Sequence, residues 1–286
     1  MTRATLAQVL QPALRSGYAV PGFVCLGWED ARAYVAAAEA EQAPVILQAG
    51  PGARAHMPVA VWAAMFRHLG EGAGVPVVAH LDHGTDIEEC RAAIGEGFTS
   101  VMFDGSRLPL SQNIDLTAAV AGLAHAAGVS CEGEIGFVGY ARGAQSKGTD
   151  PAEAARFAKE TGVDAMAVSV GNLHLQEDAG NGLDLPRIRA IEAMTVVPLV
   201  IHGGSGVPAS ERSDLAASSH VCKFNIGTEL RQVFGRALRE AVARDAARFD
   251  RLELLGETEA PLVEAARLVL RQLGASGKAG QGALSQ

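Results

Sequence analysis

Eight short apolar runs, each followed by an alanine-rich helical stretch, divide the chain from Ala19 to about Arg239. The strand candidates are Ala19–Leu26, Pro44–Ala49, Pro76–Leu81, Ser100–Phe103, Val129–Ile135, Ala165–Val170, Pro198–Ile201 and Val221–Ile226. The helical patterns that follow them are Glu29–Glu41, Pro58–Leu69, Asp86–Glu96, Leu110–Ala127, Pro151–Thr161, Pro186–Met194, Pro208–Ala217 and Thr228–Arg244. Prolines stand at or near several helix starts, where the missing N–H costs nothing. Gly70, Gly97, Gly128 and Gly162 follow helices, where a left-handed cap is common. Strands that are apolar throughout mean a parallel sheet covered on its faces. A doubly wound open sheet also satisfies this alternation. The count of eight, and polar residues gathered at strand ends, favour a closed α/β barrel, a single (βα)8 TIM barrel. The length of 286 residues suits one such domain over 1–286, since about 250 residues build a barrel. From Gly274 the chain is rich in Gly, Ala, Ser and Gln and is expected to fray.

Composition narrows the partners. With 48% hydrophobic residues the chain can bury a large core. A formal charge of −8 leaves no basic excess to neutralise nucleic acid or an anionic membrane surface. One small phosphate is still within reach of backbone amides at a helix N-terminus. Cys25, Cys90, Cys131 and Cys222 are far apart and form no CxxC pair, so they read as free thiols in a reducing compartment. The opening MTRATLAQVLQPALRSGY interrupts its apolar residues with Gln, Pro and Arg and resembles neither a signal peptide nor a membrane span. A cytoplasmic location is expected.

In a barrel, reactive residues belong at the C-terminal ends of strands, because only those loops converge on the mouth. Strand 3 ends in His80-Leu81-Asp82-His83-Gly84, strand 4 in Phe103-Asp104-Gly105-Ser106 and strand 6 in Gly171-Asn172-Leu173-His174. Strand 7 ends in His202-Gly203-Gly204-Ser205-Gly206 and strand 8 in Asn225-Ile226-Gly227-Thr228. On strand 5, Glu132 and Glu134 are two apart and share a face. His83, His174 and His202, from three separate strands, match a catalytic divalent centre: three protein ligands and an open position. Imidazoles suit zinc, with cobalt, iron or manganese as other divalent choices. Asp82 precedes a ligand and on a regular strand would point the other way; a break at Gly84 lets both face the mouth. Its carboxylate then serves either as general acid–base or as a partner orienting His80 or His83. The glycine run after strand 7 and the helix start after strand 8 form a phosphate cradle, or else simply tight turns. Of Lys147, Lys159, Lys223 and Lys278, only Lys223 lies where a Schiff base could form, and the metal reading is better supported.

HLDH (80–83), FDGS (103–106), CEGEIG (131–136), TDPAEA (149–154), GNLH (171–174), IHGGSG (201–206) and KFNIGTEL (223–230) resemble, in order and spacing, motifs of the class II fructose-bisphosphate and tagatose-bisphosphate aldolases. The likeness runs from about residue 5 to LGASGKA near 279. It implies zinc on His83, His174 and His202, and Asp82 as acid–base at the carbon made or broken. Asp104 and Glu134 match residues that hold a second or relocated metal. Gly203, Ser205, Asn225, Gly227 and Thr228 match the site for the 1-phosphate and dihydroxyacetone portion. The metal would act as Lewis acid on the carbonyl and hydroxyl oxygens, and a monovalent cation often assists. The implied reaction is reversible cleavage of a ketose phosphate, a small phosphorylated sugar, to dihydroxyacetone phosphate and an aldehyde.

Departures from the pattern concern the substrate. Val24 stands where the family usually has Asn, Gly50 where Ser is common, and Leu175 where a glycine follows the strand 6 histidine. The loop after strand 5, Gly136–Lys147, holds no Asp or Glu, although family members often place a proton donor there. Tyr140, Arg142 and Lys147 are the available substitutes. Two other readings of the same residues are a metal-dependent hydrolase or epimerase and a metal-binding subunit with weak chemistry. A symmetric homodimer or homotetramer is expected in either case.

Overall fold

In the computed structural model, which describes residues 2–177, 180 and 182–283, the apolar runs pair in chain order and close on themselves. The chain runs α1 (Leu6–Ser16), β1 (Val20–Val24), α2 (Trp28–Glu41), β2 (Val45–Ala49), α3 (Pro51–His56), α4 (Val59–Gly72), β3 (Val77–Gly84) and α5 (Ile87–Glu96). It continues through β4 (Ser100–Phe103), α6 (Leu110–Ala126), β5 (Ser130–Ile135), α7 (Pro151–Thr161), β6 (Ala165–Val168), α8 (Leu185–Glu192) and β7 (Leu199–Ile201). A 3-10 turn (Gly204–Gly206) leads to α9 (Ala209–Ser218), β8 (Val221–Ile226), α10 (Thr228–Arg244), α11 (Arg251–Gly256) and α12 (Glu259–Gln272). All eight strands are parallel, and β8 closes the barrel on β1 through Val20↔Lys223 to Phe23↔Ile226. The closed barrel is therefore confirmed over the open sheet.

The strands are buried almost throughout, as a sheet enclosed by helices requires. Aromatic side chains fill the space between barrel and helices; Phe66 of α4 meets Trp62 at a tilt and Phe98 edge-on, with ring centroids 5.4 and 5.9 Å apart. Inside the barrel the packing includes charge. Gln48, His80, Glu132 and Lys223 are all fully buried, and Lys223 Nζ donates to Glu132 Oε2 at 2.6 Å.

Several elements depart from the expected boundaries. Helix α1 was not anticipated; it is closed by a Thr5–Gln8 capping box and contacts β1, β5, β6 and β8. Ala7 N–H donates to Ser130 Oγ at 3.0 Å, which seats α1 under the start of β5. Helix α3, also unanticipated, occupies what read as the loop after β2. Gly70 lies inside α4 and packs near Val77, so it is not a helix cap, whereas Gly97 and Gly162 are left-handed caps.

The segment expected to fray from Gly274 is instead tied down as far as it is described. Ala275 is buried, Gly277 N–H donates to Glu41 O (2.8 Å), and Ala279 N–H donates to Gln42 O (2.9 Å); residues 284–286 lie outside the described ones. The clasp centres on Glu41, whose carboxylate accepts from Arg271 (2.6 Å), Arg267 (2.8 Å) and Ser276 (2.8 Å). Hydrogen bonding from Arg271, against some burial and aided by Arg267 and Ser276, holds its pKa down to about 2. A folded pKa below the free value means that the contribution is complete above about pH 4.5 and disappears as pH falls toward 2. Glu41→Gln should therefore cost about 1–2 kcal/mol at pH 7, after discounting for the exposed arginines. The gap in melting temperature from the parent should close on titration to pH 2; a constant gap would refute the ionic origin.

Candidate metal centre and active site

The strand-end residues converge on a pocket of about 460 Å³ at the barrel mouth. His83 and Asp82 end β3, Asp104 follows β4, Glu134 lies on β5, His174 sits in the loop after β6, and His202 follows β7. Ring centroids of the three histidines are 4.6 Å (His83–His202), 5.1 Å (His83–His174) and 5.6 Å (His174–His202) apart. Their nitrogens lie within 4.8 Å of one another, and so do the ligand atoms of His83, Asp104 and Glu134. His83 belongs to both groups.

Each ring is set by neighbours. His202 is fully buried; its Nε2 is held by Glu132 Oε1 at 3.1 Å, which turns Nδ1 toward the cluster. Glu132 in turn is anchored by Lys223, and His80 Nδ1 pairs with Ser100 Oγ at 2.8 Å. His83 Nδ1 meets Asp104 Oδ2 at 2.8 Å, while Ser106 Oγ donates to Asp104 Oδ1 at 2.6 Å. His174 is fixed through its backbone: its N–H donates to Gly139 O (2.8 Å) and its carbonyl accepts from Ala141 N–H (3.0 Å). The loop after β5 therefore braces this histidine.

Two buried polar atoms face the cluster without a hydrogen bond, His202 Nδ1 and Glu134 Oε2. They lie 3.3 Å apart but are not aligned as donor and acceptor. A buried polar atom without a partner costs about 1–3 kcal/mol, so two such atoms aimed at one point fit the donor set of a bound cation. The electrostatics agree. Burial alone would lower the pKa of His202, but the hydrogen bond to Glu132 and the close carboxylate of Glu134 outweigh it and raise it to about 10. The surrounding carboxylates thus demand a positive charge at this position. Burial, then the positive potential of His202 and His83, drives His174 down to about 3 and leaves it a neutral, ligand-ready imidazole. Asp82 is buried, yet His83, His202 and Lys223 hold its carboxyl below the usual range, as a carboxylate.

Gly203, Ser205, Asn225, Gly227 and Thr228 all line the same pocket. Gly203 has φ +64°, and a Cβ there would fall 2.0 Å from Leu173 O, so glycine is required on both counts. Ser205 Oγ accepts from the N–H groups of Gly227 (3.2 Å) and Glu229 (3.3 Å), so it caps α10 and occupies two amides expected to be open. Asn225 Nδ2 donates to Asp82 Oδ1 at 3.2 Å, a positional contact the sequence did not suggest. Leu175 takes φ +56°, the conformation in which a glycine is at ease.

Other expectations fall differently. Lys223 is sealed beneath the site against Glu132 and does not line the pocket, which removes the Schiff-base candidate. Of the loop substitutes, Arg142 is 90% exposed and Lys147 is absent from the pocket wall. Tyr140 does line the pocket, with its ring 5.0 Å from that of His174. Three residues carry site geometry without a motif to reveal them: Arg54, Arg107 and Arg231. Arg107 and Arg231 line the pocket, and neither has a carboxylate within salt-bridge distance among the described residues.

Comparison with known proteins decides among the chemistries such a pocket allows. The family described as "Fructose-bisphosphate aldolase class-II" matches residues 4–278. The fructose-bisphosphate aldolase of Geobacillus stearothermophilus is 37% identical, with 98% of this chain and 100% of that protein covered. The 6-phospho-5-dehydro-2-deoxy-D-gluconate aldolase of Shouchella clausii is 38% identical over 96% of this chain and 95% of that protein. Among solved structures, the YdjI aldolase of Escherichia coli K12 superposes with a TM-score of 0.85 at 30% identity, covering 97% of this chain and 99% of that one. With its closed barrel and its histidine cluster at the mouth, the chain belongs to the class II fructose-bisphosphate aldolase family of metal-dependent lyases.

Proposed function

We propose that this aldolase reversibly cleaves a ketose phosphate to dihydroxyacetone phosphate and an aldehyde, with zinc on His83, His174 and His202. The observation that supports it best is the meeting of three imidazoles, the Asp82 carboxylate and the glycine-lined cradle in one pocket. Zinc fits three nitrogen donors that leave a position open; Asp104 and Glu134, with His83, offer an alternate place for the ion. A bound divalent cation supplies Lewis-acid polarisation of the substrate's carbonyl. Asp82 moves the proton: in cleavage its carboxylate takes the proton of the hydroxyl that becomes the aldehyde and passes it to the carbon that loses its bond, and in condensation the proton travels back the same way. Asn225 holds Asp82 from one side. Gly203, Ser205 and Thr228 receive the 1-phosphate beside Gly227, whose amide rests on Ser205 Oγ, favoured by the positive end of α10. Tyr140 replaces the missing loop acid as a hydrogen-bond donor to the hydroxyl oxygen that becomes the aldehyde. Burial raises its pKa, which keeps the phenol protonated.

The far end of the substrate is proposed to be anionic. Arg107 lies at the mouth, its guanidinium 4.4 Å from the Phe137 ring centroid, which orients the cation without neutralising it. The relatives' names describe substrates with a phosphate at one end and a second phosphate or a carboxylate elsewhere. The test is cleavage of ketose 1-phosphates, ketose 1,6-bisphosphates and 5-keto-6-phospho sugar acids by zinc-loaded protein, with and without EDTA. Release of dihydroxyacetone phosphate that stops with EDTA supports the reading; no release from any of them, by protein shown to hold zinc, removes it. Arg107→Ala should raise KM about tenfold for substrates with a distal anion and leave neutral-ended ones unchanged, as a charge-assisted hydrogen bond at an open site implies. An equal change for both classes would remove Arg107 from recognition.

The chain is further proposed to act as one catalytic domain in a reducing cytoplasm, consistent with four buried, unpaired cysteines. Assembly into a homodimer or homotetramer suits Phe249 and Leu252, large apolar side chains left 93% and 81% exposed.

A further inference from the structure

Asp82 and His83 are sequence neighbours, and a regular strand sends neighbours to opposite faces. Here both reach one pocket. The backbone achieves this by leaving the ladder. Pairing of β3 with β2 stops at Ala49↔Leu81, and pairing with β4 jumps from Leu81↔Val101 to Gly84↔Phe103. Between these points His83 adopts φ +52°, a left-handed conformation rare for a non-glycine residue. Its N–H reaches only the sulfur of Met102, at 3.4 Å. A turn of this kind leaves the carbonyls of Asp82 and His83 without ladder partners.

Both carbonyls are taken by a single side chain. Arg54 of α3 donates from Nη1 to Asp82 O (2.6 Å) and from Nη2 to His83 O (3.1 Å). The same Nη1 donates to Ala49 O at 2.6 Å, the last residue of β2, and Nε donates to Glu89 Oε1 of α5 at 2.8 Å. The side chain is only 6% exposed, so its charge is committed to these acceptors. It therefore ties β2, the end of β3 and α5 around the turn. A planar guanidinium can serve these diverging acceptors at once; an ammonium group cannot reproduce the fork.

We infer that Arg54 is a positioning residue: it holds the left-handed Asp82–His83 turn so that proton carrier and metal ligand face the same pocket. This rests on the roles proposed above for Asp82 and His83. Arg54 does not line the pocket, so its effect passes through those two residues. Loss of an outer partner of a metal ligand typically lowers affinity or activity by about 10- to 100-fold.

The experiment compares Arg54→Ala and Arg54→Lys with the parent by zinc affinity in chelator competition and by kcat and KM at saturating zinc. Both variants should lose about 10- to 100-fold in zinc affinity and in kcat, with KM changed less than about twofold. Guanidinium well below denaturing concentration should restore part of both losses in Arg54→Ala and none in Arg54→Lys. Parental kcat and zinc affinity with only a lower melting temperature would overturn the inference, leaving a purely structural bolt. A rise in KM alone would overturn it too. Should both variants fail to fold, Glu89→Ala releases the outer anchor of the guanidinium and should give smaller losses in both quantities; none would count against the inference. Asp82→Ala and His83→Ala separate the two levels. If those variants keep normal turnover, the underlying reading fails; if they lose it while Arg54 variants do not, only the present inference falls.

Discussion

Asp82→Ala is expected to bind zinc with nearly parental affinity while kcat falls about 10³- to 10⁴-fold, at the upper end of what a positioned acid–base contributes. The carboxylate makes no hydrogen bond to the proposed ligand set; among the described residues its one side-chain partner is Asn225 Nδ2. Removing it therefore leaves His83, His174 and His202 in place. What disappears is the group proposed to carry a proton to and from the carbon beside the carbonyl. Exchange of solvent deuterium into dihydroxyacetone phosphate isolates that step from carbon–carbon cleavage, and it should fail in parallel with turnover. If exchange persists at the parental rate while cleavage stops, the proton passes through another group and Asp82 serves only to orient the turn. If both persist, it has no chemical role.

The barrel was legible because parallel strands covered on both faces must be apolar throughout, and eight such runs at even spacing leave few alternatives. What escaped was structure whose pattern is local or contradicts a local rule. Helix α1 contains Pro12, and an internal proline argues against a helix until tertiary packing is known. Helix α3 begins Pro51-Gly52, a pair that reads as a turn. The final segment has the composition of a loose tail, yet the Glu41 clasp and backbone bonds to Glu41 and Gln42 fix it. Composition measures how much apolar surface a segment can bury and is silent about hydrogen bonds to distant residues.

The site divides along the same line. Side chains at strand ends were visible because fold alone dictates which ends face the mouth. Their orientation was not, because it depends on residues distant in sequence: Glu132 fixes the ring of His202 across 70 positions, and Asn225 reaches Asp82 across 143. The two left-handed non-glycine residues of the site, His83 and Leu175, are equally hidden, since a positive φ is uncommon for any residue but glycine. Leu175 stands at a glycine position of the family pattern, and the structure gives that change a conformational meaning: the backbone takes a positive φ and carries a side chain, 51% exposed, at the rim of the pocket.

His202→Ala should have the largest effect on the metal. Structural zinc sites bind with an apparent 10–16 kcal/mol, so a full ligand corresponds to roughly 4 kcal/mol, or about 10³-fold in dissociation constant. His202 is the most firmly held of the three proposed ligands, fully buried with its Nε2 on Glu132 and its Nδ1 directed at His83, His174 and Glu134. Its removal deprives the cluster of one donor and leaves Glu132 on Lys223 at 2.6 Å, with His80 Nε2 3.7 Å away. His80→Ala provides the contrast: that ring pairs with Ser100 and lies near Lys223 below the pocket, so its loss should disturb the barrel interior far more than zinc affinity. Equal losses of zinc in the two variants would mean that the interior network as a whole, and not a three-histidine ligand set, determines affinity. Full zinc occupancy in His202→Ala would shift the ion to His83, Asp104 and Glu134, the other group close enough to hold it.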